Sequence, residues 1–225
     1  MATFREYFFN SKKTLPIHKW HHYLDVYEKH LSKFKGKNPK ILEIGLFKGG
    51  SVEMWNKYFN GKCEIYGIDI DKDTLTIKDK LNLNNLTIHI GDQGTDEFWN
   101  DYLKQVPAFD IIIEDGGHHM HQQIKTFERL TPTHLNNNGV YICEDLHTSY
   151  WKNYGGGLNN PKSFIEYSKK FIDYLHYDYM TNVDKSLLGQ NETFARTFTS
   201  VAFYDSIVVL DKNVRSSKNI DSIRY

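Results

Sequence analysis

The chain has 225 residues, of which 40% are hydrophobic and 25% are charged, and this composition suits one globular α/β domain. Its 28 basic residues balance its 28 acidic residues, so no strong field favours a nucleic acid or an anionic membrane as partner. Cys63 and Cys143 each lie in an apolar run, so neither a disulfide scaffold nor a cysteine-based zinc site is expected.

The N-terminal residues predict a helical extension, 1–38, ahead of a main domain, 39–225. From Ile17 to Phe34, apolar residues recur at helical spacing with charged residues between them. The run from Gly36 to Pro39 then breaks this helix. The first residues contain no apolar leader and no apolar run is long enough to span a bilayer, so we expect a cytoplasmic protein without membrane insertion.

Beyond the extension, short apolar runs alternate with longer helical patterns. The predicted strands are 41–44, 64–70, 86–90, 109–114 and 140–144, and the predicted helices are 51–59, 73–80, 96–106, 121–130 and 163–175. This alternation indicates a parallel sheet built from right-handed crossovers. Two further β-type runs, 200–204 and 207–210, are separated by two polar residues and predict a hairpin. A parallel sheet closed by an antiparallel hairpin is typical of the Rossmann-like class I methyltransferase fold.

The first predicted strand leads into a glycine-rich turn that runs from Glu43 to Ser51. Gly45 and the later pair of glycines permit a tight turn and close approach of a ligand, and a helix begins near Ser51. The glycine spacing differs from the GxGxxG of nicotinamide enzymes, which disfavours an oxidoreductase. A plain turn in which Ser51 caps the helix is the alternative.

Acidic and amide groups follow the second and third strands. Asp69, about 20 residues beyond the glycine turn, is placed to accept hydrogen bonds from both hydroxyls of a ribose. A surface carboxylate or a helix cap is the alternative for Asp69 and for Asp71. Asp92 and Gln93 follow the third strand, where the edge of an adenine would lie, although Asp92 also suits a turn. Since ligands bind at the carboxyl ends of such strands, these residues predict a cofactor site.

The fourth strand runs directly into a stretch of acidic, glycine and histidine residues. Charged groups at the end of an apolar strand are costly unless they find partners or a metal. Alternation sends Glu114 and Asp115 to opposite faces of the strand. The fifth strand ends in Glu144 and Asp145, so Asp115 and this pair reach one rim of the sheet. Three carboxylates suit a hard cation, and Mg²⁺ would keep positions for substrate oxygens and water. Carboxylates that form salt bridges or caps are the alternative.

Several segments together resemble one known family. In order from about His18 to Lys212, they are HKWHHYLDVYEKHL, ILEIGLFKGGSVEMW, YGIDID, GDQ, FDIIIEDGGHH, GVYICEDLHTSYW and AFYDSIVVLDK. This series resembles the macrolide-sugar O-methyltransferases, which act on deoxysugars of macrolides. The resemblance covers nearly the whole chain, and the paired DGxH and EDLxTSYW patterns are more specific than any glycine turn.

The resemblance implies a magnesium-dependent transfer of a methyl group from S-adenosylmethionine to a sugar hydroxyl. It implies that the magnesium ligands are Asp115, Glu144 and Asp145, and that His118 is the general base. It places in the cofactor segments Glu43, Ser51, Asp69 and Gln93. A sugar-bearing acceptor and a homo-oligomer are expected, and the aromatic stretch from Tyr150 to Gly157 is expected to act as a lid over the acceptor or to be a plain surface loop.

Other functions remain open. A non-haem iron oxygenase built on Asp115, His118 and a second histidine would leave the glycine-rich turn and the acidic pair after the fifth strand unexplained. The second histidine would come from His119, His121 or His147. A nucleotide-binding module would need the first three strand ends but not His118. Methylation of a non-sugar hydroxyl would use the same residues as the sugar reaction.

Overall fold

A seven-stranded sheet lies at the centre of the structure, a computed structural model that describes residues 3–188 and 192–213. The strands are β1 (Lys40–Ile44), β2 (Glu64–Asp69), β3 (Leu86–Ile90), β4 (Phe109–Glu114), β5 (Leu135–Cys143), β6 (Phe198–Tyr204) and β7 (Ile207–Lys212). Their order across the sheet is β3-β2-β1-β4-β5-β7-β6. Strands β1 to β5 are parallel, whereas β7 is antiparallel to both of its neighbours. The predicted parallel sheet closed by an antiparallel hairpin is confirmed.

Helices cover both faces of the sheet. They are α1 (Phe4–Asn10), α2 (Tyr23–Leu31), α3 (Gly50–Tyr58), α4 (Ile77–Leu81), α5 (Asp96–Tyr102), α6 (Met120–Leu130), α7 (Phe164–Leu175), α8 (Asn182–Leu188) and α9 (Glu192–Thr197). Short 3₁₀ turns occupy Ser32–Phe34, Lys72–Thr76, Leu146–Tyr150, Lys152–Tyr154 and Tyr177–Tyr179. Within the two described ranges, no helix has both the length and the apolar character needed to cross a membrane.

Apolar side chains at alternate positions of the central strands form two cores. Ile41 and Ile111 face the layer that contains α1, α2 and α3. Leu42 and Ile112 face the layer that contains α5, α6 and α7. Because strands with two covered faces carry apolar residues at every position, they read in the sequence as continuous apolar runs. The sheet therefore holds its strand ends in fixed positions between two packed layers.

The N-terminal residues differ from their prediction. Helix α2 begins at Tyr23 rather than Ile17, and residues 11–22 before it form bends, a turn and irregular backbone. Glu53 on α3 accepts hydrogen bonds from the backbone N–H groups of Thr14, at 2.8 Å, and Leu15, at 3.3 Å. The backbone at positions 14 and 15 is therefore bonded to α3 and not within a helix. The division at residue 38 stays a prediction, and residues 1–2 and 214–225 of the two predicted regions lie outside the described residues.

Two further helical regions depart from the sequence patterns. The predicted helix 73–80 is a 3₁₀ turn followed by α4, which ends at Leu81; the next residue, Asn82, has a left-handed conformation with φ +50°. The sequence patterns do not predict α8 or α9. Helical periodicity marks a face that packs against a core, and α8 has no buried residue, with Val183 and Leu187 exposed. Helix α8 thus lacks the signal on which the prediction depends.

Candidate active site

One cavity of about 470 Å³ lies at the carboxyl ends of the parallel strands. This is the edge at which open α/β sheets bind ligands, and the volume lies within the usual range of roughly 300–1,000 Å³ for small-molecule sites. The predicted site residues that line it are Gly45, Asp69, Asp92, Gln93, Asp115, His118, Glu144 and Asp145. Two predicted cofactor residues, Glu43 and Ser51, lie behind its wall.

Gly45 brings the ends of β1 and β4 together. It adopts φ +87°, and its N–H donates to the carbonyl oxygen of Ile68 at 2.8 Å. A Cβ atom at Gly45 would lie 2.0 Å from the carbonyl oxygen of Asp115. The glycine is therefore required twice, once by the left-handed backbone and once by the close approach of the chain that carries Asp115.

Substituting this glycine should separate the two requirements when Gly61 serves as the control. Gly61 adopts φ +71° but has no atom within 4 Å of an added Cβ. Gly61→Ala should cost about 1–2 kcal/mol of unfolding free energy, because only the left-handed backbone is strained. Gly45→Ala should cost about 1–3 kcal/mol more, because the new methyl group also displaces Asp115. Urea unfolding measures both, and equal losses would contradict the predicted contact.

Asp69 lies beside the glycine-rich turn. Its Oδ2 accepts hydrogen bonds from the backbone N–H of Leu46, at 2.8 Å, and of Phe47, at 3.3 Å, and its Oδ1 accepts from the N–H of Asp71 at 2.9 Å. Asp71 instead caps the following 3₁₀ turn, since its Oδ1 accepts from the N–H of Asp73 at 2.9 Å. Asp69 thus holds the turn against the end of β2, and it faces the cavity.

Gln93 and Asp92 already have partners within the chain. The amide nitrogen of Gln93 donates to Glu114 Oε1 at 2.7 Å, and its Oε1 accepts from the N–H of Gly117 at 3.1 Å. Asp92 Oδ1 accepts from the N–H of Gly94 at 2.7 Å, which is the turn geometry weighed as its alternative role. Both residues line the cavity, and their direct contact with a cofactor stays a prediction.

Glu43 and Ser51 form a pair beneath the cavity. Glu43 is fully buried, and its Oε2 accepts a hydrogen bond from the hydroxyl of Ser51 at 2.9 Å. Burial raises the pKa of Glu43 to about 7, although the charge of Lys19 and the bond from Ser51 oppose the rise. Their predicted contact with a cofactor stays a prediction; the pair itself joins β1 to the start of α3.

Asp115, His118 and Asp145 meet at the end of the cavity near β4 and β5. Each offers one ligand atom, and these atoms all lie within 4.8 Å of one another. His118 Nε2 lies 3.9 Å from Asp115 Oδ1 and 3.6 Å from Asp145 Oδ2. Both His118 and Asp145 have left-handed backbones, with φ +56° and +55°. Such strained conformations concentrate at functional sites.

The metal-ligand geometry differs from the two sets of residues weighed in the sequence. Over the described part of the chain, the cluster of Asp115, His118 and Asp145 is the one group of three His, Cys, Asp or Glu side chains at metal-binding spacing. A second histidine does not join it, so the two-histidine set of an iron oxygenase does not assemble. Glu144, a predicted ligand, does not join it either.

Glu144 is instead bound to the N-terminal segment. Its side chain is 1% exposed, its Oε2 lies 2.8 Å from Lys19 Nζ, and its Oε1 accepts from the hydroxyl of Tyr27 at 2.5 Å. Lys19 Nζ also lies 2.5 Å from Asp115 Oδ2. Burial lowers the pKa of Lys19, but the charges of Asp115 and Glu144 outweigh it, so the pKa is raised well above its ordinary value. Sequence patterns missed Lys19, because they assign it to a helix.

Aromatic rings surround the opening near Asp145. Trp20 stacks on His147 with ring centroids 4.8 Å apart, and Trp151 meets His147 edge-on at 4.7 Å. Tyr150 and Trp151 are about half exposed. His119 is the N-cap residue directly before α6, and its N–H accordingly donates to Gln122 Oε1 at 3.3 Å. The lid role of the stretch from Tyr150 to Gly157 stays a prediction.

Comparison with known proteins identifies relatives of the chain by sequence. No family model matches the chain. It is 30% identical over 213 residues to 8-demethyl-8-(2-methoxy-alpha-L-rhamnosyl)-tetracenomycin-C 3'-O-methyltransferase of Streptomyces olivaceus, across 89% of this chain and 52% of that protein. It is 33% identical over 146 residues to mycinamicin VI 2''-O-methyltransferase of Micromonospora griseorubida, across 60% of this chain and 34% of that protein. The chain is a relative of sugar O-methyltransferases.

The fold of this methyltransferase relative agrees with solved structures. It is similar to the MycE methyltransferase of the mycinamycin pathway, solved in complex with Mg and SAH, with a TM-score of 0.74, 23% identity, and coverage of 92% of this chain and 54% of that chain. A second crystal form of that complex gives a TM-score of 0.75 at 25% identity, over 88% and 50% of the two chains. The class I methyltransferase fold and the family resemblance are thus confirmed, although the chain spans about half the length of the curated relatives it matches.

Proposed function

We propose that the chain is an S-adenosylmethionine-dependent O-methyltransferase that uses Mg²⁺ and methylates a sugar hydroxyl. The observation that carries the proposal is the single cavity that joins Asp69 at one end to Asp115, His118 and Asp145 at the other. A methyl donor along the first strand ends and an acceptor at the acidic end would meet inside this cavity. The names of the relatives support the sugar as acceptor, since they include methyltransferases of rhamnosyl tetracenomycin and of mycinamicin.

The acidic end of the cavity fits a hard divalent cation. Asp115 Oδ1 and Asp145 Oδ2 face the same space beside His118. Carboxylate oxygens are the ligands that Mg²⁺ prefers. Lys19 pairs with Asp115 Oδ2 and Glu144 Oε2, which leaves Asp115 Oδ1 and Asp145 Oδ2 beside His118 for a cation. Asp115 and Asp145 would hold the ion, with Glu144 as the predicted third ligand, and the Mg in the MycE structures supports this assignment.

The chain's own residues then supply binding, orientation and proton transfer. When bound, Mg²⁺ lowers the pKa of a hydroxyl that coordinates it, and S-adenosylmethionine supplies the methyl group. Asp69 and the turn at Gly45 would hold the donor, and His118 lies where it would accept the hydroxyl proton. Trp20 lines the cavity and would offer a ring to a sugar. Alignment of donor and acceptor in one cavity supplies much of the acceleration.

Methyl transfer to a panel of acceptors tests this function. Purified chain with Mg²⁺ and S-adenosylmethionine would be incubated with rhamnosides, nucleotide sugars and phenols, and the demethylated cofactor and products measured by mass spectrometry. We expect turnover only with sugar-bearing acceptors. Transfer to phenols alone would contradict the sugar as acceptor, and a chain that binds no S-adenosylmethionine would contradict methyltransferase activity altogether.

Asp69→Ala should weaken the binding of S-adenosylmethionine by about 1.5–3 kcal/mol, because the ribose loses a charged acceptor. Calorimetry measures the affinity, and circular dichroism checks that the variant is folded. Asp71→Ala is the matched control, because Asp71 is engaged as a cap. If the affinity falls only in Asp71→Ala, then Asp71 contacts the ribose and Asp69 does not.

The assembly and surroundings of the chain stay predictions. These are the homo-oligomer, the cytoplasmic location and the lack of a nucleic-acid partner. Light scattering of the purified chain measures the first of them directly.

A further inference from the structure

We propose that Lys19 is a positioning residue of the candidate metal site and that it stays in place when a divalent cation binds. The inference rests on the proposed function, in which Asp115 and Asp145 hold Mg²⁺. Lys19 lies 96 residues before Asp115 and 125 residues before Glu144 in the chain, yet its ammonium contacts both carboxylates.

The oxygens of Asp115 and Asp145 are divided between two sets of partners. Lys19 Nζ lies 2.5 Å from Asp115 Oδ2, and the hydroxyl of Tyr23 donates to Asp145 Oδ1 at 2.8 Å. The other oxygens, Asp115 Oδ1 and Asp145 Oδ2, face His118 Nε2. Hydrogen bonds from outer partners orient the carboxylates that bind a metal. Lys19 and Tyr23 thus turn one oxygen of each aspartate toward the same space.

The N-terminal segment supplies these partners at a regular spacing. Lys19, Tyr23 and Tyr27 are four residues apart, and each contacts an acidic residue of the cavity. Tyr27 donates to Glu144 Oε1 at 2.5 Å, while Lys19 lies 2.8 Å from Glu144 Oε2. Both oxygens of Glu144 are therefore held from the N-terminal side, and all three predicted magnesium ligands have a partner on one segment.

The segment is fixed on both sides of Lys19. Before it, the chain packs so closely on α3 that a Cβ at Gly50 would lie 2.3 Å from the Pro16 carbonyl oxygen. After it, the His22 Nε2 atom lies 2.8 Å from the carbonyl oxygen of Asp205. The side chain of Lys19 is itself only 3% exposed. The backbone that carries Lys19 is therefore held in place on both sides of the residue.

The charges also favour a lysine that stays. Lys19 contacts both Asp115 and the buried Glu144, so loss of the ammonium would leave these two carboxyl groups without their lysine partner. Uncompensated buried charge is strongly unfavourable. Without Lys19, Asp115 and Glu144 would also repel one another and lose the orientation that the ammonium imposes.

Calorimetric titration with Mg²⁺ tests this role. We expect Lys19→Met to raise the dissociation constant of Mg²⁺ by roughly 10–100-fold, the usual effect of removing an outer partner of a metal ligand. Lys19→Arg should restore part of the affinity, because it keeps the charge. Lys33→Met is the matched control: it removes another lysine–aspartate pair, Lys33 with Asp211 at 2.7 Å, away from the cavity, and it should bind Mg²⁺ as wild type does.

Each other result of the titration overturns the inference. Tighter binding by Lys19→Met would show that the ammonium competes with the metal. Unchanged affinity would show that the ion pair serves stability alone. A wild-type chain that binds no Mg²⁺ would contradict both the proposed metal and this inference. A wild-type chain that binds Mg²⁺ with the same affinity as the Lys19 variants would contradict the inference alone.

A second measurement uses only the wild-type chain, so it holds even where Lys19→Met fails to fold. Lysines are acylated with and without saturating Mg²⁺ and located by mass spectrometry. Lys19 should stay protected in both conditions, while Lys104, whose side chain is 73% exposed, should react in both. Acylation of Lys19 that appears on adding Mg²⁺ would show displacement and overturn the proposal.

Discussion

His118→Asn should lower turnover by roughly 10²–10⁴-fold, the usual contribution of a positioned acid–base group. Asparagine is the informative replacement, because it tolerates the left-handed backbone at φ +56°, which alanine would strain. The affinity for S-adenosylmethionine and for Mg²⁺ should stay near wild type, since the imidazole has no assigned part in either. Release of the demethylated cofactor measures turnover, and calorimetry measures both affinities.

His119→Asn is the control for this substitution. His119 is the N-cap residue of α6 and packs beside Tyr154, with ring centroids 5.2 Å apart, so its loss should cost far less turnover. A His118 variant with full turnover would show that the metal alone activates the hydroxyl. A variant that loses Mg²⁺ would make His118 a ligand, as its place beside Asp115 and Asp145 permits.

Asp145→Asn should abolish methyl transfer and weaken Mg²⁺ binding by more than about 100-fold. Removal of an outer partner of a metal ligand costs up to about 100-fold in affinity, and removal of a ligand should cost more. The substitution removes charge but little else. Asparagine tolerates φ +55°, and its side-chain oxygen still accepts a hydrogen bond from Tyr23. Calorimetry with Mg²⁺ and the turnover assay measure the two effects.

Chelation gives the same result by a second route. EDTA should abolish the activity of the wild-type chain, and Mg²⁺ should restore it, whereas Fe²⁺ with oxygen should not. For the substitution Asp145→Asn, the matched control is Asp211→Asn, because Asp211 pairs with Lys33 and His30 instead of facing the cavity. Full activity after exhaustive chelation, or wild-type affinity in Asp145→Asn, would return these carboxylates to a structural role.

The sequence predicts the sheet and its carboxyl edge well, for a physical reason. Strand β4 matches its predicted limits because three consecutive isoleucines, residues 111–113, are buried against the two layers in alternation. Once the strand ends are known, Asp69, Asp115 and Asp145 must lie at one edge of a parallel sheet, and they do line one cavity. The local sequence pattern is sufficient to predict a site residue when the end of a single strand fixes its position.

Local pattern fails where two distant segments decide the outcome. The helical spacing of Leu24 and Tyr27 extends back to Ile17. Nothing in that spacing shows that Glu53 binds the backbone N–H groups at positions 14 and 15, just before it. The same error hides Lys19, whose ion pairs depend on folding of the whole sheet. A strand-end pattern also cannot reveal the lysine that approaches Glu144 from the N-terminal segment.

The strand order β5-β7-β6 has a consequence during synthesis of the chain on the ribosome. Strand β5 ends at Cys143, but β7, its partner on that side, begins only at Ile207, and β6 is made first yet lies outside β7. At about 5–20 residues per second, the free edge of β5 waits on the order of seconds. An unpaired strand edge is a template for association with other chains. Emergence of β7 therefore ends the interval in which the nascent chain most needs protection by a chaperone.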